Sequence, residues 1–366
     1  MNNQRWKKLL DAILVPVLAV LSGLVVMGIL ILTLNKPVLE SYAILFSNGF
    51  GCKEYGNCIF LTTLERATPL ILTGLSAVVA FRSGMFSIGQ EGQYLLGAAA
   101  AAWLGYAIHL PPILHAPVLL IAGMLVGAAY GWFPGVLRVK LGVNELLSTI
   151  MLNSIAALIV EYLVQFPMRA DTSAVAHSPV IDESAQLMSF FPGSKWGVGF
   201  VLAVIAVIVV YIYLWRTKSG YEQRMAGQSR RFALFGGILS DRAAIRAMLI
   251  SGALAGLAGA IEVMGVHRRI MTGFSVGLGF DGLTTAILGQ VHPFGVFIVA
   301  ILFSGLKLGA QIGLQLNLNI PRELGGTIIG FIILFVAAGK LYEENIVRAR
   351  EWATRRRSSR LKRESG

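Results

Sequence analysis

Long apolar runs alternate with short polar segments along the whole chain. The runs lie near 12–34, 61–81, 87–108, 116–137, 144–166, 197–215, 243–264, 276–291, 294–312 and 323–340. Crossing a bilayer takes about 20 mainly apolar residues in a helix, so the pattern predicts an all-α integral membrane protein of about ten transmembrane helices. Runs 12–34 and 197–215 contain no charged residue. Run 12–34 is too long for a signal-peptide core and no small-residue cleavage site follows it, so it is read as a retained span. Run 276–291 is too short to cross as a simple helix.

Two runs are interrupted by polar residues. "GMFSIGQEGQ" occupies 84–93 and "TGFSVGLGFDG" occupies 272–282. The two share a motif: Phe86-Ser87-Ile88-Gly89 matches Phe274-Ser275-Val276-Gly277. Arg82 precedes the first copy, and Arg268 and Arg269 precede the second. Glu91 follows one and Asp281 the other. Five predicted spans separate the copies, and an odd number reverses direction, so the two halves are expected to be inverted repeats. Transporters bind substrate at discontinuous helices between such halves. Irregular backbone survives at membrane depth only when buried in protein or lining water, so the two interrupted helices are expected to face each other and line a central pathway. Gly-rich spans also serve close helix packing, and Gly252, Gly256 and Gly259 are read that way. Beside Gly84, Gly89 and Gly92, however, stand Gln90, Glu91 and Gln93, and polar groups are costly in hydrocarbon.

Composition agrees with the membrane reading. Of 366 residues, 55% are hydrophobic and 14% charged, with mean hydropathy +0.70; soluble domains carry about 25% charged residues. The net charge of +12 follows the positive-inside rule and does not call for nucleic acid. Residues 215–246 hold seven Arg/Lys against two Asp/Glu, and the tail from Lys340 holds nine against four. Segment 167–195 has two basic residues against three acidic. The basic segments are therefore expected in the cytoplasm with both termini, and 167–195 outside. Residues 1–346 form one membrane domain on this reading, with a basic tail at 347–366.

Further polar residues open the run at 144: "GVNELLSTIMLNSIA". Asn144 is a candidate N-cap. Glu145, Thr149 and Asn153 recur every four residues and share a helical face; that stripe suits either a polar ligand or hydrogen bonds to another helix. Glu262 and Lys307 are also costly within spans unless they sit near helix ends or pair with each other. Cys52 and Cys58 fall in the first external segment, where a disulfide is permitted and two free thiols fit as well. His109, His115, His177, His267 and His292 show no metal spacing and are placed in loops. Segment 219–248 is long enough for a short amphipathic helix, with Arg224, Arg230 and Arg231 opposite Phe232, Leu234 and Phe235 and a turn at Ala226–Gln228. It suits a lipid surface or a soluble partner. No ATP-binding G-x-x-x-x-G-K-[ST] loop occurs. Neither a Ser/His pair, H-E-x-x-H nor paired carboxylates at helical spacing supports an intramembrane enzyme.

Four segments, "ATPLILTGLSAVVAFRSGMFSIGQEGQYLLGA", "GVNELLSTIMLN", "GYEQRMAGQSRRFALFGGI" and "GFDGLTTAILGQVHPFG", resemble permease subunits of bacterial ABC importers of the branched-chain amino acid, ribose and nucleoside group. The "F-S-I-G-Q-E-G-Q" break is most similar to the nucleoside branch; Ser87 departs from the Asn of that branch. The resemblance implies a transport subunit, not an enzyme, in the bacterial cytoplasmic membrane. It implies a second, non-identical permease subunit, a cytoplasmic ATPase that binds ATP and Mg, and an external substrate-binding lipoprotein. No cofactor belongs to this chain. On it, Phe86, Ser87, Gln90, Glu91, Asn144, Thr149, Asn153, Phe274, Ser275 and Asp281 contribute to a nucleoside pathway. Tyr221, Glu222, Arg224, Gly227, Gln228 and Arg231 couple to the ATPase. A monosaccharide or branched-chain amino acid permease is the alternative, and an ion-coupled secondary transporter a more distant one.

Overall fold

Apolar length and helix breakers set the element order. The computed structural model describes residues 25–52, 58–170, 175–191, 193–274 and 277–321, and beyond these 326, 327, 330, 331 and 334. The expected spans 323–340 and most of 12–34, Ser275 and the tail at 347–366 therefore lie outside the described residues or nearly so.

Residues 50–305 form one compact unit. Within it α3 (Ile59–Arg82), α4 (Gln90–Ala107), α5 (Pro112–Leu141), α6 (Glu145–Gln165), α7 (Val198–Arg216), α8 (Lys218–Gln228), α9 (Arg230–Phe235), α10 (Ser240–Glu262), α11 (Leu278–Leu288) and most of α12 (Pro293–Leu308) follow in order. Among the described residues six helices are long and apolar enough to cross a membrane, up to seven if a bent pair is one span: Ile59–Arg82, Pro112–Leu141, Glu145–Gln165, Val198–Arg216, Ser240–His267 and Pro293–Leu318. The chain is a multi-pass membrane protein, and the regular elements among the described residues are all helices. The expected run 87–108 appears as α4, whose polar first turn lowers its hydropathy, and 276–291 as the short α11.

Helices α3, α4 and α10 form the buried centre, and small residues let the backbones of α4, α5 and α10 approach closely. Gly123, Gly127, Gly131 and Gly135 recur every four residues along one face of α5. A Cβ on Gly256 would sit 3.0 Å from Gly123 C and from Gly127 Cα, and one on Gly252 would sit 2.8 Å from Gly127 C. Gly259 makes the same approach to α4, where a Cβ would fall 2.7 Å from Ala98 N. In a bilayer, where burying apolar surface gives little drive, such contact is a main source of helix association.

The second unit comprises residues 1–49 and 306–366. Its α1 (Val25–Thr33) meets α2 (Val38–Phe50) at a bend of 117°. Asn35 takes the left-handed conformation (φ 54) in the turn between them, and Pro37 follows. Across this unit a π-helical turn, Gly309–Gly313, backs onto α2, with a Cβ on Gly313 falling 2.7 Å from Asn48 Cβ. Cys52 and Cys58, in the larger unit, are joined as a disulfide.

Candidate functional site

The first break begins where α3 runs out of helical options. Gly84 adopts φ 76, a conformation that terminates helices and suits glycine. Gly84 N donates to Phe81 O at 3.0 Å and Met85 N to Ala80 O at 3.2 Å, closing the end. The chain then runs without helix to Gly89, the N-cap of α4. Its exposed backbone groups need partners, and α6 supplies them. Asn153 Nδ2 donates to Ile88 O at 2.8 Å, while Asn153 Oδ1 accepts from Gly92 N at 2.9 Å. Thr149 Oγ1 accepts from Ile88 N at 3.2 Å and donates to Glu145 O at 2.7 Å. Ser87 Oγ accepts from Gly89 N at 3.3 Å, and Gln90 Nε2 donates to Ser87 O at 3.2 Å.

The second break follows α10, which ends in a π-helical turn, Val263–His267. Gly277 (φ 82) is the N-cap of α11. The matched glycines Gly89 and Gly277 thus hold the same structural place, each opening a helix. The two openings meet. Glu91 Oε2 accepts a hydrogen bond from Gly279 N at 2.6 Å, and a Cβ on Gly279 would fall 2.5 Å from Glu91 Cα. Both residues stand two positions past the matched glycine. The first N–H groups of a helix have no partner within it and carry partial positive charge, so a carboxylate is favoured there. Phe274 stacks on Tyr94 with centroids 5.9 Å apart, and its edge meets the His267 ring at 5.2 Å.

Four polar side chains within the five residues that open α4 are buried around this junction: Gln90, Glu91 (7% exposed), Gln93 and Tyr94. Gln90 Oε1, Gln93 Oε1 and the Tyr94 hydroxyl have no hydrogen-bond partner among the described residues. Such atoms are costly in a dry interior, and they give the junction unused capacity for a polar ligand or water. Phe86 lies at the rim, 48% exposed, with one face stacked on Phe81 at 4.5 Å. Asp281 stands on the first turn of α11.

Asn144 of the expected pathway, and other polar residues singled out in the sequence, have local roles. Asn144 Oδ1 accepts from Leu146 N and caps α6, while Glu145 pairs with Arg138 at 3.1 Å. Glu262 pairs with His267 at 3.3 Å. His115 is in the first turn of α5, not a loop: it is buried and bonded to Ser184 Oγ at 2.7 Å. Tyr94 and Gly279 escape sequence reasoning. Tyr94 falls four residues after Gln90, hence on its helical face, and that spacing was the available signal.

The segment after α7 forms two short helices, α8 and α9, with the turn at Ser229; Ala226–Gln228 belongs to α8. Tyr221, Gln228 and Arg231 are exposed, as are Phe232, Leu234 and Phe235, the last at 92%. Glu222, Arg224 and Gly227 turn toward the rest of the unit. Glu222 pairs with Arg246 at 3.0 Å, Arg224 lies 5.6 Å over the Trp215 ring, and Gly227 packs on Gly84. His292 stands 4.9 Å from Trp215, and its pKa is lowered by burial first and by the Arg82 guanidinium second.

Comparison with known proteins places this architecture. The family described as branched-chain amino acid transport system / permease component matches residues 59–337. The guanosine ABC transporter permease protein NupP of Bacillus subtilis is 34% identical over 90% of this chain and 94% of its own length. The nucleoside ABC transporter permease protein NupB of Lactococcus lactis is 31% identical over 96% of each chain. A second Lactococcus lactis protein, the nucleoside ABC transporter permease protein NupC, is 25% identical over 77% of this chain. The glucose ABC transporter permease protein TsgB13 of Haloferax volcanii is 29% identical over 90% of this chain and 88% of its own. No solved structure matches.

Proposed function

The chain belongs to the branched-chain amino acid transport system / permease component family, and on that premise we propose that it is the membrane permease subunit of an ATP-driven nucleoside importer. Two similar proteins named for guanosine or nucleoside transport, each matched along nearly the whole chain, support the substrate class. Two differently named nucleoside permeases in one organism, both similar to this chain, support a second, non-identical permease subunit.

The observation that carries the pathway assignment is the Glu91–Gly279 hydrogen bond between the two helix openings. It joins equivalent positions of the two motif copies, which supports a reading of the two halves as inverted repeats that meet here. Around it lie partnerless polar atoms and the Tyr94–Phe274 aromatic pair. Aromatic faces stack on any nucleobase at about 1–3 kcal/mol per base, while Gln90, Tyr94 and Glu91 offer hydrogen-bonding groups for sugar hydroxyls. Phe86, Ser87, Phe274, Ser275 and Asp281 complete the proposed pathway. Thr149 and Asn153 hold its backbone in place, and Asn144 holds the start of α6.

Residues 1–346 are the ten-span permease domain on this reading, with 347–366 a basic cytoplasmic tail. The subunit sits in the bacterial cytoplasmic membrane with both termini inside. Helices α8 and α9 dock a separate cytoplasmic ATPase, which holds ATP and Mg; the exposed Tyr221, Gln228, Arg231 and Phe235 support that role. An external lipoprotein delivers substrate, and ATP binding switches the pathway between outward- and inward-facing states. Uptake of radiolabelled guanosine by cells with and without this chain tests the proposal. Loss on deletion and recovery on complementation are expected; full uptake in the deletion strain would refute it.

A further inference from the structure

The contact between α8 and the first break does more than pack two elements. We infer that Gly227, Arg82 and Trp215 form a transmission joint that ties movement of the ATPase-docking helix directly to both discontinuous helices. This rests on the assignment of α8 and α9 as the docking element.

Gly227 closes the last turn of α8 against the turn that ends α3. A Cβ on Gly227 would fall 2.7 Å from Gly84 N and 2.8 Å from Ser83 C, and closer still to the Arg82 carbonyl oxygen. The fit is reciprocal: a Cβ on Gly84 would meet Gly227 Cα at 3.0 Å. No side chain stands between the two backbones, so a movement of α8 toward α3 is passed to the turn without slack. One turn earlier on α8, the buried Gln223 donates from Nε2 to Val79 O at 2.6 Å and accepts from the Tyr213 hydroxyl at 2.9 Å. α8 is therefore gripped at two points of α3, and the residues immediately beyond the second point are the break itself.

The second discontinuous helix is reached through Arg82. Its Nε donates to Val291 O at 2.9 Å, in the turn that ends α11. Gln290 and Val291 both hold the left-handed conformation there, φ 54 and 52, a conformation non-glycine residues adopt rarely. The Arg82 guanidinium also lies 5.3 Å over the Trp215 ring, which carries Arg224 of α8 at 5.6 Å. Two cations on one indole, in a flexible surface cluster, would separate. Cation–π attraction and the Val291 bond hold Arg82 in place instead. One residue thus touches the end of α3, the docking segment and the end of α11. Energetic coupling between sites travels well through rigid elements with few arrangements, and a joint of backbone on backbone has little slack.

The test uses the whole transporter, with second permease, ATPase and binding lipoprotein, in proteoliposomes. Gly227 faces Gly84 and not the exposed side of α8, so Gly227→Ala should keep the ATPase bound through purification. Its nucleoside uptake and its substrate-stimulated hydrolysis should fall by roughly tenfold, within the usual span of inter-site coupling. Gly236→Ala is the control on the same segment: its Cβ would meet Ala233 O at an ordinary 3.5 Å, and it should behave as wild type. Should Gly227→Ala not assemble, Arg82→Lys decides, since it keeps the charge but loses the planar stack and the Nε bond; the same uncoupling is expected. Wild-type uptake and stimulation in whichever variant assembles would overturn the joint. Loss of the ATPase from Gly227→Ala alone would make Gly227 a docking residue and also overturn it. Failure of the ATPase to bind the wild-type permease would refute the docking assignment itself.

Discussion

Glu91 accepts a hydrogen bond from the backbone of Gly279 at 2.6 Å, and these two residues occupy the same place in two copies of one motif. The bond is charge-assisted and buried. Hydrogen bonds to charged groups contribute about 1.5–3 kcal/mol, and a Cβ at 279 would displace the carboxylate. Glu91→Ala should therefore lower uptake by roughly 10- to 150-fold if the contact is needed in the rate-limiting state. Glu91→Gln, which still accepts, should lose less. Equal loss in the two variants would show that charge at 91, not the bond, carries the effect.

Asn153 satisfies two backbone groups of the break at once, Ile88 O and Gly92 N. Asn153→Leu leaves both buried and unpaired, at about 1–3 kcal/mol each. A lowered melting temperature together with impaired uptake is expected. Thr149→Val removes only one bond to the break, the longer one to Ile88 N, and should do less harm. A fully stable Asn153→Leu protein would remove α6 from its supporting role.

Phe86 has one face covered by Phe81 and is otherwise half exposed. If its free face stacks on a base, Phe86→Ala should weaken uptake by roughly 5- to 150-fold and Phe86→Tyr by much less. A packing residue would show the opposite pattern, a lower melting temperature with unchanged uptake. Both readings are separated by measuring the two quantities on one preparation.

The pKa of His292 is lowered by burial and by Arg82. The fold therefore resists protonation, and the stability that neutral His292 contributes is present above its ordinary 6.5 and is lost as the pH falls through the lowered folded value. Wild-type protein should melt at a lower temperature at about pH 5.5 than at about pH 7.5, and His292→Asn should narrow that difference. An unchanged difference would place the pH sensitivity elsewhere.

Topology is open to a direct check. A reporter fused after Lys195 should lie outside and one fused after Ser219 in the cytoplasm, because basic residues concentrate in the second segment. Reversed labelling would invert the halves and remove the docking role of α8.

The breaks were legible in the sequence because Gln90, Glu91 and Gln93 make no sense as lipid-facing residues, and because Phe-Ser-Ile/Val-Gly recurs. Their meeting follows from the same rule that demands partners for irregular backbone. Tyr94 was not legible, since a tyrosine in an apolar helix reads as core until its hydroxyl is found without a partner. Nor was the bend between α1 and α2: apolar periodicity carries no direction, and Asn35-Lys36-Pro37 reads as the start of an external loop. Gly227 illustrates a third limit. The sequence places it on the docking segment, but only the fold shows that it faces Gly84.

The central claim is tested most directly by reconstituted transport. Proteoliposomes holding this chain with its second permease, ATPase and binding lipoprotein should accumulate radiolabelled guanosine only when ATP is supplied on the ATPase side. Unlabelled nucleosides should compete, glucose should not, and Glu91→Ala should abolish most of the signal. Accumulation of glucose or a branched-chain amino acid in place of guanosine would contradict the substrate assignment, and guanosine uptake by this chain alone on an ion gradient would contradict the mechanism.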